Sequence, residues 1–348
     1  MTSFRKSVSG SFLRYGSSVL KQDPTAALPV FDSSQKEHVR AELVKITSEM
    51  QGRKLEEGDW TELYCEVLGI ANRGWSNLHL DVMIPGLGIE QKMLRDTGGD
   101  SLLQLCGQTK MHPSATRSIR IPDVNADANE VMYEVFRQYS ELIEQRRELI
   151  SRTQSAGGHV SLRLGWLIWR GSLDQFLYFE EDFTAPNPDE YFAIWNEGSN
   201  SNSPRKTSKS LWVYRKSDSA KRYSITTMAG IKIQPYFDVP ATDDPNLYYW
   251  DLRPQSSKDG MMSVSVDRKT YEILEANLGS VNPLGLQDLV DALIEKKSDQ
   301  ETKNREIEWK NSVVEIEIKS TDLQRLRVHF KSDHSSEMLY RLARDSIY

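Results

Sequence analysis

The chain has 348 residues, of which 38% are hydrophobic and 27% are charged, and this composition excludes a wholly disordered protein. It predicts one large domain or two closely packed ones. Two cysteines, Cys65 and Cys106, are too few for a disulfide framework or a tetrahedral zinc site, so we expect a reducing, cytoplasmic setting. The net charge of −6 neither supports nor excludes a nucleic-acid partner, because such binding depends on local positive surface.

The N-terminal segment is basic and rich in serine, with no acidic residue before position 23. Its cations are Arg5, Lys6, Arg14 and Lys21. This pattern fits an organelle presequence, a basic arm that contacts phosphates, or a solvated terminus. We assign residues 1–32 as an N-terminal basic arm. The longest apolar run, residues 162–169, is too short to cross a bilayer, so we expect no membrane partner.

Hydrophobic periodicity predicts a mixed α/β (α+β) fold. Predicted helices cover residues 34–52 (capped by Ser33 or Ser34), 58–72, 100–106, 128–152, 187–195, 268–278, 286–297 and 335–344. Predicted strands cover residues 78–84, 89–94, 160–169, 175–179, 211–214, 223–227, 231–236, 313–319 and 326–330. A boundary is expected near residues 153–158, where two glycines stand together.

The predicted strands 78–84 and 89–94 flank a Pro-Gly-Leu-Gly turn, which is typical of a β-hairpin. Successive side chains of a strand point to opposite faces. If the turn is centred on Gly86 and the following leucine, Ile84 pairs with Ile89 and Asp81 pairs with Lys92. Asp81, Glu90 and Lys92 then share one face of the hairpin.

Two carboxylates beside a lysine suit a magnesium site. Mg²⁺ takes oxygen ligands and needs only one or two carboxylates besides waters and substrate phosphates, so Asp81 and Glu90 are the predicted metal ligands. Lys92 is predicted to orient or deprotonate an attacking water, or to hold the phosphate. The alternative is an ordinary cross-strand ion pair between Asp81 and Lys92 on a solvated hairpin.

The text LDVMIPGLGIEQK resembles the PD-(D/E)XK nuclease superfamily, whose motif is an Asp on one strand and an acid-x-Lys triplet on the next. Asp81 and the triplet of Glu90, Gln91 and Lys92 match it. The resemblance implies a further catalytic Glu on the preceding helix, either Glu62 or Glu66, and Glu62 is preferred. The match spans residues 58–108.

The acid-x-Lys triplet is weak evidence by itself, because residues 295–297, 308–310 and 317–319 also fit it. The triplet at residues 317–319 lies on a predicted strand but lacks a preceding strand that carries Asp at hairpin distance. In the motif, Leu80 stands before Asp81 where the superfamily often has proline. The hairpin spacing therefore carries the resemblance, and the lysine triplet adds little.

The resemblance implies a restriction-endonuclease-like core, with a central mixed sheet flanked by helices. Residues 33–157 would form this nuclease core, and residues 158–348 a β-rich region that completes it or serves DNA recognition and dimerisation. The implied activity is Mg²⁺-dependent, sequence-specific cleavage of double-stranded DNA, as in a type II restriction enzyme. A palindromic target would favour a homodimer.

Two basic stretches, residues 101–122 and 205–222, are predicted to contact DNA phosphates or base edges. Their predicted DNA-binding residues are Lys110, His112, Arg117, Arg120, Arg205, Lys206 and Lys209. Surface loops with ordinary charges are the alternative. For the whole chain, the alternatives are a DNA-binding or accessory protein of a defence system that does no chemistry, a repair or recombination nuclease, and a protein-interaction domain.

Overall fold

The computed structural model describes residues 30–70, 80–113, 119–121, 123–153, 160–199, 207–227, 231–295 and 312–346. Within these segments the fold is mixed α/β, as predicted. The helices are α1 (Ser33–Glu49), α2 (Glu57–Leu68), α3 (Ala128–Ser151), α4 (Arg268–Leu278), α5 (Pro283–Glu295), α6 (Ser320–Phe330) and α7 (Ser335–Asp345). The strands are β1 (Val82–Ile84), β2 (Leu87–Asp96), β3 (Thr109–Met111), β4 (Ser161–Arg170), β5 (Gln175–Asp182), β6 (Tyr191–Ser199), β7 (Thr207–Arg215), β8 (Lys221–Thr226), β9 (Ile233–Asp238), β10 (Tyr248–Asp251), β11 (Gln255–Ser256), β12 (Met261–Asp267) and β13 (Val313–Lys319).

The central sheet has the strand order β1-β2-β4-β5-β10. Strands β2 and β4 are parallel and are joined through α3, whereas the other neighbours are antiparallel. Every residue of β4 is buried, because both faces of the sheet are covered. Leu167 and Trp169 pack with α1 and α2 on one face, and Trp166 and Ile168 pack beneath α3 and the second sheet on the other.

Two further sheets complete the fold. The second has the order β3-β9-β8-β7-β6, and the third is β11-β12-β13. Helices α4 to α7 share a separate hydrophobic core with β12 and β13. Arg40 of α1 bridges to this C-terminal part, since its Nη2 lies 2.6 Å from Ser265 Oγ and 2.9 Å from Glu315 Oε1.

Several predicted elements were wrong. Residues 187–195 were predicted as a helix, but a short 3₁₀ turn leads into strand β6, whose Ala193 is buried and whose Phe192 stacks on Tyr214 of β7. Residues 326–330 belong to α6, because Leu323, Leu326 and Phe330 are buried at helical spacing. The helix at 100–106 is only a 3₁₀ turn.

The ends of predicted elements also moved. The first helix is capped by Asp32, whose side chain accepts the N–H of Gln35, and not by a serine. Phe31 lies within the predicted N-terminal arm, yet it is buried and its N–H donates to Tyr248 Oη at 2.9 Å. The central sheet itself takes β4, β5 and β10 from beyond residue 158. In the parts of the chain that the structure describes, no helix has the length and apolar content needed to cross a membrane.

Glu181 of β5 gives stability a pH dependence. Burial raises the pKa of Glu181 to about 7, and the hydrogen bond from Trp166 Nε1 at 2.8 Å opposes the rise, as does the charge of Arg222. Because the folded state then holds a proton that the unfolded state releases, stability should fall as the pH rises from about 4.5 to about 7. Denaturant unfolding across this range should show a loss of about 1–3 kcal/mol that Glu181→Gln removes. An unchanged slope in Glu181→Gln would contradict this assignment.

Candidate active site

The hairpin of β1 and β2 turns at Pro85 and Gly86. The Cα partners are Ile84 with Leu87 and Val82 with Ile89, so the predicted pairing of Ile84 with Ile89 was wrong by two residues. Gly86 has φ = +86°, a conformation that glycine adopts without strain, and this fixes a two-residue turn. Because side chains alternate with a period of two, the shift leaves the predicted facing of the charged residues unchanged.

Asp81 lies just before β1 and extends the hairpin by a side-chain contact. Its Oδ2 accepts the backbone N–H of Gln91 at 2.6 Å. The pKa of Asp81 is raised by burial first and by the negative charge of Glu90 second. The Gln91 hydrogen bond, Lys92 and Arg146 act in the opposite direction. The carboxyl is thus held in a fixed position next to a second carboxylate.

Glu90 and Lys92 of β2 form a close ion pair, with Lys92 Nζ 2.7 Å from Glu90 Oε1. Arg146 of α3 adds a second cation, since its Nη2 lies 3.1 Å from Glu90 Oε2. All three side chains are largely buried, with 14–19% of their surface exposed. Lys92 lies beyond the residues of β2 that pair with β1.

Glu57 joins this group from the first turn of α2. Its Oε1 lies 3.8 Å from Lys92 Nζ. Burial raises the pKa of Glu57, Lys92 lowers it, and the charges of Asp81 and Glu90 raise it. The candidate active site therefore contains three carboxylates with Lys92 and Arg146 among them.

The glutamates proposed from the sequence, Glu62 and Glu66, are exposed on α2. Glu66 instead lies near His38 and Glu42 of α1, with ligand atoms all within 4.8 Å of one another. The buried Glu42 carboxylate already has Lys45 Nζ at 3.2 Å and His38 Nε2 at 3.7 Å. We therefore describe this group as an ion-pair cluster between helices.

Sequence reasoning missed Glu57 and Arg146. Glu57 was placed outside the predicted second helix, which was started one residue too late. Arg146 is one of many charged residues of α3, and nothing in its sequence neighbourhood distinguishes it. Only the packing of α3 on the sheet brings Arg146 to β2.

Asp81 and Glu90 are the residues of the site that could hold Mg²⁺. Asp81 and Glu90 supply two carboxylates, which is the number that a protein usually offers this ion. Glu90 raises the pKa of Asp81, and a bound cation would relieve that repulsion. With Glu57 included, the three carboxylates do not have ligand atoms all within 4.8 Å of one another, so Glu57 is not counted among the residues that could hold the ion.

The first predicted DNA-binding stretch lies beside β2. Lys110 of β3 is half-buried, with its Nζ 3.9 Å from Asp96 Oδ1. His112 is only 6% exposed, and its Nε2 lies 3.1 Å from the carbonyl oxygen of Met93. Such a buried ring stabilises the fold beside β2, so we leave it out of any DNA interface. Arg120 is exposed.

In the second stretch, the Nζ atom of Lys209 of β7 lies 4.8 Å from the centre of the Trp195 ring and 3.6 Å from Glu197 Oε1. Arg117, Arg205 and Lys206 lie outside the described residues. The basic residues of positions 1–22 also lie outside them. Of the predicted DNA-binding residues that the structure describes, Lys110, Arg120 and Lys209 are thus at least partly accessible, and His112 is buried.

No protein-family model matches the chain, and neither a curated protein nor a solved structure shows a significant similarity to it. The resemblance to the PD-(D/E)XK superfamily therefore depends on the motif residues, and the functional argument depends on the geometry around Lys92.

Proposed function

We propose that the protein is a Mg²⁺-dependent DNA endonuclease. The observation that carries the proposal is the convergence of Asp81, Glu90 and Glu57 around Lys92, where Lys92 and Glu90 are largely buried and Glu57 is about half exposed. Carboxylates beside a lysine fit the hydrolysis of a phosphodiester, which needs a metal site and a cation near the phosphate. The motif resemblance supports the more specific form, a homodimeric type II restriction enzyme that cleaves double-stranded DNA at a defined sequence.

Asp81 and Glu90 would hold the ion, which when bound lowers the pKa of a water ligand and neutralises charge on the phosphate. The backbone N–H of Gln91 fixes the Asp81 carboxylate in place. Arg146 restrains Glu90 from the α3 side, so it acts as a positioning residue.

Lys92 is held between Glu90 and Glu57, so its ammonium points to the place where substrate would meet the carboxylates. There it would donate to the attacking water or to a phosphate oxygen. In the reaction the water oxygen bonds to phosphorus and gives up a proton to the solvent, the bond from phosphorus to one ester oxygen breaks, and that oxygen takes up a proton from the solvent. Glu57 keeps Lys92 in position from α2.

Incubation with long mixed-sequence duplex DNA tests the proposal. With Mg²⁺ the protein should give discrete fragments, and with EDTA it should give none. Asp81→Asn removes one ligand charge, so we expect cleavage to fall by at least ~100-fold. Asp243→Asn, at an exposed aspartate, is the matched control and should cleave like the wild type.

Other outcomes would revise or overturn the proposal. A continuous smear instead of discrete fragments would retain the nuclease but favour a repair or recombination role. Retention of DNA without cleavage would overturn the enzyme and favour an accessory DNA-binding protein. Absence of both would favour a protein-interaction domain.

A further inference from the structure

A cationic cavity of about 760 Å³ lies at the carboxyl ends of β2 and β4. The α1–α2 connection and residues 330–341 form its other walls. Six arginine or lysine side chains line it against three carboxylates. Its volume falls in the range of roughly 300–1,000 Å³ that small-molecule sites occupy. The ends of parallel strands are also where open α/β sheets commonly bind ligands.

Arg170, the last residue of β4, is the buried cation of this cavity, with 7% of its surface exposed. Its Nη1 contacts Asp96 Oδ2 at 3.3 Å and donates to the carbonyl oxygen of Gly98. Its Nε and Nη2 have no hydrogen-bond partner among the residues that the structure describes. A buried donor without a partner is costly. Both atoms are also closed to solvent, so an acceptor in the cavity would reach them only with a shift of the Arg170 side chain or of its neighbours.

The chemistry of the acceptor follows from which atoms are free. Nε and Nη2 form one edge of the guanidinium group, and this edge donates two parallel hydrogen bonds to a carboxylate or a phosphate. Asp96 occupies the Nη1 side and leaves this edge for an anion. The excess of cations in the lining favours the more highly charged phosphate.

Arg95 provides a second guanidinium at the cavity wall, and this one is exposed. Its Cζ lies 5.6 Å from the centre of the Trp169 ring. A Cβ at position 171 would lie 2.7 Å from Arg95 Nε, so Gly171 makes the room that this side chain occupies. Lys331, on the opposite wall, is exposed and has a left-handed backbone with φ = +51°. Lys331 is the residue that ends α6, where a left-handed conformation commonly closes a helix.

We propose that this cavity binds a small molecule that carries a phosphate group, with Arg170 gripping the phosphate through Nε and Nη2. Arg95 and Lys331 would pair with further phosphate charge at the cavity mouth. A phosphate of duplex DNA presents the same chemistry, but a duplex is too wide to reach a side chain buried as deeply as Arg170. The inference is independent of the proposed nuclease, because none of the cavity's residues belongs to the candidate active site.

Calorimetric titration of the full chain with pyrophosphate and with ATP, in EDTA, tests this site. At least one of the two should bind at a one-to-one ratio. Arg170→Lys keeps the charge but loses the two-donor edge, so we expect its affinity to fall by about ten- to a hundredfold. Arg95→Ala should weaken binding about tenfold. Arg268→Ala, an exposed arginine of α4 paired with Glu272, is the control and should bind as the wild type does.

Arg95→Ala and Lys331→Ala change exposed residues, so they test the site even if Arg170→Lys does not fold. Failure of both probes to bind would overturn the proposal. Equal affinity of the wild type and these variants would also overturn it. A parallel titration uses a short DNA duplex. If Arg95→Ala weakens only the binding of the duplex, the cavity would be reassigned to the DNA backbone, and the small ligand would be refuted.

Discussion

Lys92→Met is expected to reduce DNA cleavage by roughly 10²–10⁴-fold while the protein stays folded. Lys92 Nζ contacts both Glu90 and Glu57, and methionine keeps most of the side-chain volume but removes the charge. The positive charge of Lys92 lowers the pKa of Glu57, whereas the negative charges of Asp81 and Glu90 raise it. Without Lys92, the pKa of Glu57 should therefore rise further. Single-turnover cleavage in Mg²⁺, with thermal melts of both proteins, measures the effect.

Two controls make this result interpretable. Lys269→Met changes a half-buried lysine on α4 that pairs with Glu49, and it should retain cleavage within about threefold because it lies outside the site and outside the predicted DNA-binding stretches. Glu57→Gln should lower cleavage about tenfold, whereas Glu62→Gln should leave it unchanged. Cleavage by Lys92→Met at the wild-type rate would refute the assignment. A loss in Glu62→Gln, with none in Glu57→Gln, would favour the glutamate proposed from the sequence.

Arg163→Met should lower the free energy of unfolding by about 3–5 kcal/mol. Arg163 Nη1 lies 3.2 Å from Glu180 Oε2, and the two side chains are 6% and 2% exposed. Tyr64 Oη and Tyr178 Oη donate to the other Glu180 oxygen at 2.7 and 2.9 Å. Hydroxyl donors stabilise the carboxylate but do not neutralise it, so the variant leaves a buried negative charge without its cation. Urea denaturation measures the loss.

A double variant separates the loss of charge pairing from the loss of packing. Adding Glu180→Gln to Arg163→Met removes the uncompensated charge. The double variant should therefore be about 2 kcal/mol more stable than Arg163→Met alone. Arg137→Met breaks an exposed ion pair on α3 and should cost less than about 1 kcal/mol. Additive losses in the double variant would show that Arg163 and Glu180 do not act as a pair.

Patterns with a short period were readable from the sequence. Residues 162–169 form the longest apolar run, interrupted by Arg163, and they lie in the fully buried strand β4. The hairpin pairing was wrong by two residues, yet Asp81, Glu90 and Lys92 still come together, because an even shift does not change which face a side chain occupies. The mixed α/β class followed from the same local periodicity.

The tertiary structure decided what depends on contacts between distant segments. Residues 191–199 became a strand because they pair with β7, which overrides the helical signal of the preceding proline. Glu57 and Arg146 reach Lys92 only through the packing of α2 and α3 against the sheet. The free edge of Arg170 exists because the carboxyl ends of β2 and β4 lie side by side. Local periodicity specifies which face of an element a side chain occupies, whereas the residues that meet across elements are fixed only when those elements pack.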